Sequence, residues 1–185
     1  MDENYLYSAR KQFEYYKSLG ERTFEQLNEE ELLWQYNPES NSIAIMANHL
    51  WGNMLSRWTQ FLSSDGEKTW RNRDLEFESV IQNREELMIK WNEGWQCLFN
   101  ALDTISPADY DKKVLIRNQE HTIAEALNRQ MMHYAYHIGQ IVYVGRMIKA
   151  GEWNSLSIPK GSSQNFNKEK FSRGKHRGHF SDDIK

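Results

Sequence analysis

Apolar and polar positions alternate along most of this chain with the period of a helix. From Ile43 the apolar residues Ile43, Ala47, Leu50, Met54, Trp58 and Phe61 step by four, three, four, four and three. That spacing predicts a helix from a cap at Asn41 or Ser42 to about Ser63. An earlier helix is predicted over about Asp2 to Leu19, with Phe13 and Tyr16 among its apolar positions and Gly20 as its stop. A short helical turn follows in "NEEELLWQYNP", ended by Pro38. The third long helix runs from about Phe77 to Leu102 on Leu87, Trp91, Leu98 and Leu102. The fourth opens on Thr122 and Glu125, a capping-box pattern, and continues to about Ala150 with Gly151 as its stop. Only Val114, Leu115 and Ile116 concentrate β-type residues, which predicts a short strand or hairpin.

Four such helices predict an all-α four-helix bundle. Its connections over about 64–76 and 103–121 exceed the ~2–8 residues of simple helix hairpins, so at least one crossover is expected. The body is taken as 1–158. Residues 159–185 form a basic, Gly/Ser/Asn-rich tail whose Phe166, Phe171 and Phe180 offer partial docking.

Composition narrows the function classes. No apolar run approaches the ~18 residues of a membrane span. The charged N-terminus carries no apolar secretory core, and the single cysteine fits a reducing compartment, so the cytoplasm is expected. The net charge of −3 is uneven: the tail holds seven Lys/Arg against three acids, leaving an acidic body. That distribution disfavours a nucleic-acid-binding domain, with the tail as the only weak route to one.

The chemistry concentrates in "HYAYHIGQIV". His133 and His137 stand four residues apart, one above the other on one helix face. Their stripe, Ala126, Gln130, His133, His137, Gln140 and Val144, flanks an apolar stripe of Leu127, Met131, Tyr134, Ile138 and Ile141. The pair is either an ordinary polar edge of the core or two-thirds of a metal site. His49, on the second helix among Ile45, Gly52, Asn53 and Ser56, supplies a third imidazole. Neighbouring bundle helices lie ~8–10 Å apart, close enough for facing side chains to share an ion. Three imidazoles suit Zn²⁺, Ni²⁺ or Fe²⁺ and leave coordination positions open.

Other templates fit poorly. The H-E-x-x-H protease pattern, the E-x-x-H di-iron repeat, the G-x-S-x-G elbow and the Walker loop are all absent. Cys97, beside Gly94 and Ala101, reads as a small packed residue. His176 and His179 read as solvated tail residues, and His121 as a loop residue.

"SIAIMANHLWGNMLSRWTQFLSSDGEKTWRNRD", followed about eighty residues later by "HYAYHIGQIV", resembles the DinB/YfiT-like superfamily of metal-dependent four-helix proteins, and in particular its bacterial branch of uncharacterised members. The resemblance covers about residues 1–158, and "SIPKGSSQNFN" extends it. It implies an up-down-down-up bundle and a divalent metal on His49, His133 and His137. It also implies a homodimer, and in characterised members thiol-dependent S-transfer or isomerisation using bacillithiol or mycothiol. Asn53, Arg57, Trp58 and Gln140 are then candidates to line a substrate cleft for a small molecule. Arg71 and Arg73 of "WRNRD" either pair with Asp74 and Glu76 in a solvated loop or meet an anionic cosubstrate. The alternative function is a non-enzymatic stress-related or partner-binding protein with a structural metal.

Overall fold

Gly20, expected to stop the first helix, lies inside it. The computed structural model describes residues 3–183, so the expected start at Asp2 and the last two tail residues lie outside the described residues. Helix α1 spans Glu3–Glu25. A Cβ at Gly20 would come within 2.5 Å of the Trp91 ring, so glycine serves here as a close-approach residue rather than a terminator. A short α2, Glu29–Leu33, carries a capping box between Asn28 and Glu31.

Helix α3 spans Ile43–Trp58, and Ser42 caps it by accepting from the Ile45 amide at 3.1 Å. It ends about a turn before the expected Ser63, because Gln60 adopts φ 49° and turns the chain away. Phe61 stays buried regardless, its ring centroid 4.9 Å from that of Trp58. The third long helix, α4, spans Arg84–Asp103 rather than beginning at Phe77. Asn83 accepts from the Glu86 amide at 2.9 Å while Glu86 accepts from Gln82, which fixes the later start. Phe77 belongs instead to a 3₁₀ turn over Asp74–Phe77.

The expected β-type run is strand β1, Lys113–Ile116, paired antiparallel with β2, Gln119–Thr122. Arg117 and Asn118 both take positive φ, as a two-residue type I′ turn requires. Helix α5, Ile123–Lys149, starts at the Thr122–Glu125 capping box. The chain reverses after it at Ala150, with φ 46°, one residue before the expected Gly151. A further helix, α6, covers Ser163–Ser172 of the tail.

The chain is mostly helical, and its long helices share one core. Helix α3 packs along α4 and α1 along α5, with narrower contacts from α3 to α5 and from α1 to α4. Phe13, Leu50, Trp91, Trp95, Leu98, Tyr134 and Ile138 fill the centre. No helix among the described residues is long and apolar enough to cross a membrane. In the tail, Phe180 packs edge-on against Tyr15 of α1 at 5.2 Å, and Lys11 pairs with Asp182 at 2.9 Å. Phe166 is half-buried, and Phe171 is 82% exposed.

The long connection between α3 and α4 is held down at several points. The Asp65 carboxylate accepts from the backbone amides of Glu67, Arg117 and Asn118 at 2.7–2.8 Å. The Gly66 amide donates to the Leu115 carbonyl at 2.8 Å, and Ser56 of α3 donates to the Gly66 carbonyl at 2.9 Å. The irregular segment is thereby tied to both the hairpin and α3, and it carries Arg71, Arg73, Glu76 and Phe77 across the face of α3.

Candidate metal centre

Helix α3 contributes His49 and α5 contributes His133 and His137. All three rings converge, with centroids 4.7–5.3 Å apart. One ligand nitrogen from each lies within 4.8 Å of the others. His49 Nε2 and His133 Nε2 are 3.2 Å apart. A tetrahedral site with metal–nitrogen bonds of ~2.0–2.1 Å has an edge of about 3.3 Å, so this pair already has the spacing of two ligands.

Hydrogen bonds at the far sides of the rings orient them. His49 Nδ1 donates to Glu76 Oε2 at 2.8 Å, which leaves Nε2 with its lone pair toward the cluster. His137 Nδ1 donates to Gln140 Oε1 at 2.8 Å, with the same result. Burial, reinforced by the neighbouring imidazoles, lowers His133 to about 3 and His137 to about 4. Both are therefore neutral at pH 7, the state a metal ligand needs. The donor set fits a divalent transition metal.

Glu76 is the residue that periodicity could not reveal. It lies 27 residues after His49, in a segment without helical or strand alternation. Burial alone would raise its carboxyl, but hydrogen bonds from His49 and Arg71 outweigh that and hold it low. Arg71 grips both oxygens at 2.7 and 2.8 Å and reaches Glu67 at 2.9 Å. The space for this carboxylate comes from Gly52, where a Cβ would meet Glu76 Oε1 at 2.5 Å. Phe77 then stacks on the His49 ring at 4.5 Å. Arg71 is thus a buried partner of Glu76, with its side chain 3% exposed, and not part of a solvated loop. Arg73 lies over the Phe77 ring at 5.0 Å.

The three histidines form part of the wall of a cavity of about 400 Å³. Of the residues expected at a substrate cleft, Asn53 and Arg57 line it. Trp58 instead sits in the core, its indole donating to the Tyr134 hydroxyl at 2.8 Å. Gln140 acts on His137 and is not part of the cavity wall. Gln130, from the histidine stripe, lines it too, as do Arg117, Arg129 and Tyr136, which no single sequence pattern marked.

A family described as "Protein of unknown function (DUF1572)" matches residues 1–162. The chain belongs to this family. No curated protein and no solved structure matches it. The DUF1572 match spans all three histidines, Glu76 and Gln140.

The remaining polar candidates stand apart from the centre of this DUF1572 chain. Cys97 contacts Thr59 Oγ1 at 3.7 Å, and burial pushes its thiol up, so it is a packed thiol facing a different groove. His121 lies on β2 rather than in a loop, where Arg129 donates to its Nε2 at 3.2 Å. His176 and His179 belong to the tail, with His179 Nδ1 bonded to the Ser181 hydroxyl at 2.8 Å.

Proposed function

We propose that this chain is a divalent-metal protein of DinB/YfiT-like, up-down-down-up architecture that transfers a low-molecular-weight thiol to an electrophile. The observation that carries this reading is the convergence of three imidazoles, two of them oriented by hydrogen bonds, on the wall of an open cavity. A purely structural ion would be enclosed by four protein ligands, whereas three ligands facing a cavity leave room for a reactant. His49, His133 and His137 hold the ion, and Glu76 and Gln140 keep His49 and His137 turned toward it. When bound, such an ion would stabilise the thiolate form of a thiol entering from the cavity.

The absence of a free base favours a thiol over water as nucleophile. Both Glu76 oxygens are already taken by His49 and Arg71. No aspartate or glutamate is among the residues lining the cavity. A thiol, with an ordinary pKa of ~8.5, needs far less help than water to ionise near neutrality. With Cys97 in another groove, the thiol comes from a second molecule. Its sulfur bonds to the electrophilic carbon as the bond from that carbon to the leaving group breaks, and the thiol proton passes to solvent.

Elemental analysis of the purified protein should find about one divalent ion per chain, as a three-ligand site implies. Calorimetry of the metal-loaded protein with a small thiol, in two buffers of different ionisation enthalpy, should show a released proton. Absence of thiol binding at millimolar concentration would remove the transfer reaction and leave a metal-binding protein.

A further inference from the structure

We propose that the cavity beside the histidines binds the anionic part of its substrate, a carboxylate or phosphate group, and that Arg57 is the buried anchor for it. The proposal deepens the metal-centre reading by naming the substrate class, and it rests on that reading only for where the substrate's reactive end lies.

Charge is the first observation. Arg57, Arg71, Arg73, Arg117 and Arg129 all line this cavity, and no acidic side chain does. Glu76 and Glu67 neutralise Arg71 from behind, and Glu67 also reaches Arg117 at 3.3 Å. Arg57, Arg73 and Arg129 have no carboxylate partner among the described residues. A concave, partly dry site with uncompensated guanidinium groups concentrates small anions.

The second observation is independent of the count. Arg57 is only 4% exposed, and its Nε and Nη1 are buried with no hydrogen-bond partner among the described residues. Burial lowers its guanidinium, and the nearby Arg129 and Arg71 add to that effect, while Tyr134 and Glu67 act on it in the opposite direction from beyond hydrogen-bond distance. A buried guanidinium without hydrogen bonds, with Asp65 and Glu67 acting on it only at a distance, costs folding free energy that an anion bound beside it would offset. Guanidinium presents a planar fork that matches carboxylate and phosphate oxygens. Gln130, 2% exposed, likewise lines the cavity with an unpartnered carbonyl oxygen, an acceptor for a ligand hydroxyl or amide.

The placement gives the ligand a direction. His49, Asn53 and Arg57 lie at i, i+4 and i+8 on α3, one stripe rising about 12 Å from first to last. Asn53 uses its carbonyl oxygen to accept from the Tyr134 hydroxyl at 3.2 Å, which keeps its amide NH₂ for a ligand midway. A substrate therefore lies along α3 with its reactive group at the histidines and its anionic group at Arg57.

The test uses succinate and inorganic phosphate as probes, by calorimetry on metal-free and zinc-loaded full-length protein. One or both should bind even without metal, and binding should weaken as NaCl is raised. Tighter binding of succinate would identify a carboxylate, and tighter binding of phosphate a phosphoryl group. Arg57→Met, Arg73→Gln and Arg129→Gln should each weaken binding by about tenfold or more. The last two alter exposed residues, so their effect does not depend on tolerance of a core change. With anion absent, Arg57→Met should raise the thermal midpoint by about 2–4 °C, because an unpaired buried charge is removed. In the zinc-loaded protein, mercaptosuccinate should bind about tenfold or more tighter than 2-mercaptoethanol. Failure of both anions to bind at millimolar concentration, or binding unchanged in all three variants, would overturn the proposal. Anion binding in metal-free protein combined with no thiol binding would sustain it while removing S-transfer.

Discussion

Two regions meet at the histidines, and they are built by opposite means. The three histidines sit on α3 and α5, regular helices whose period dictates which side chains share a face. The groups that orient and cover them come from the irregular connection between α3 and α4, which has no repeating pattern. The helical wall needs only packing to place its imidazoles. The connection needs a set of individual hydrogen bonds, from Asp65 to the hairpin and from Arg71 to Glu76. The candidate metal centre thus takes its potential donors from rigid elements and its electrostatics from a pinned loop.

The sharpest way to break that division is to remove the wall's donors. His133→Ala combined with His137→Ala should abolish stoichiometric metal, while circular dichroism still reports a helical protein, since packing supplies most helix stability. Metal retained in that double variant, measured by elemental analysis, would show that the ligands lie elsewhere.

Attacking the connection should weaken the centre without erasing it. Glu76→Gln removes the carboxylate behind His49, for which metal affinity should fall by about 10–100-fold. It also leaves the buried Arg71 with Glu67 as its remaining carboxylate, which should lower folding stability. Competition titration against a chelator and urea unfolding read the two effects separately. An unchanged affinity would confine Glu76 to a packing role.

Acid should test the wall in the metal-free protein. His133 and His137 titrate at about 3 and about 4 when folded, against ~6.5 unfolded. Between those values the unfolded chain binds more protons, so stability present above pH ~6.5 is lost as pH falls toward 4. Urea midpoints should accordingly be lower at pH 5 than at pH 7, and a His133→Phe, His137→Phe variant should lose part of that slope. An identical slope in the variant would assign acid sensitivity to other groups.

The smallest effect is expected away from both regions. Phe180→Ala together with Asp182→Asn removes the tail's ring contact with Tyr15 and its exposed pair with Lys11. Stability should change little, since the pair is exposed and the ring contact lies at the surface, and metal content not at all. A loss of metal there would connect the tail to the centre.

The same division explains what the sequence disclosed. The shared face of His133 and His137, the Thr122–Glu125 box and the β-type run of β1 each follow from a local rule of spacing, capping or propensity, whereas no local rule joins His49 to that pair, which the family resemblance does. Gly20 and Gln60 show the limits of such rules. A glycine that makes room for Trp91 looks identical to one that ends a helix. A helix that ends at Trp58 through a positive φ on Gln60 carries no glycine or proline to announce it. The later start of α4 rests on Asn83, and Phe77, freed from that helix, becomes the lid on His49. Glu76 was visible only as one acid beside two arginines, since its partner His49 is distant in sequence. Trp58 was expected at the cleft beside Arg57, yet nine residues after His49 it stands on the opposite side of α3, and its indole turns to Tyr134.

Gly52 turns this arrangement into something that can be searched for. Three histidines alone are a poor fingerprint, because an H-x-x-x-H pair is frequent on amphipathic helices. Here the absent side chain at Gly52, three residues after His49, is the mould of the Glu76 carboxylate. A query for His, then Gly three places on, then Glu some two dozen residues beyond, followed by H-x-x-x-H-x-x-Q, describes donors and braces together. Within the family it would sort chains that share this particular centre from chains that share only its scaffold.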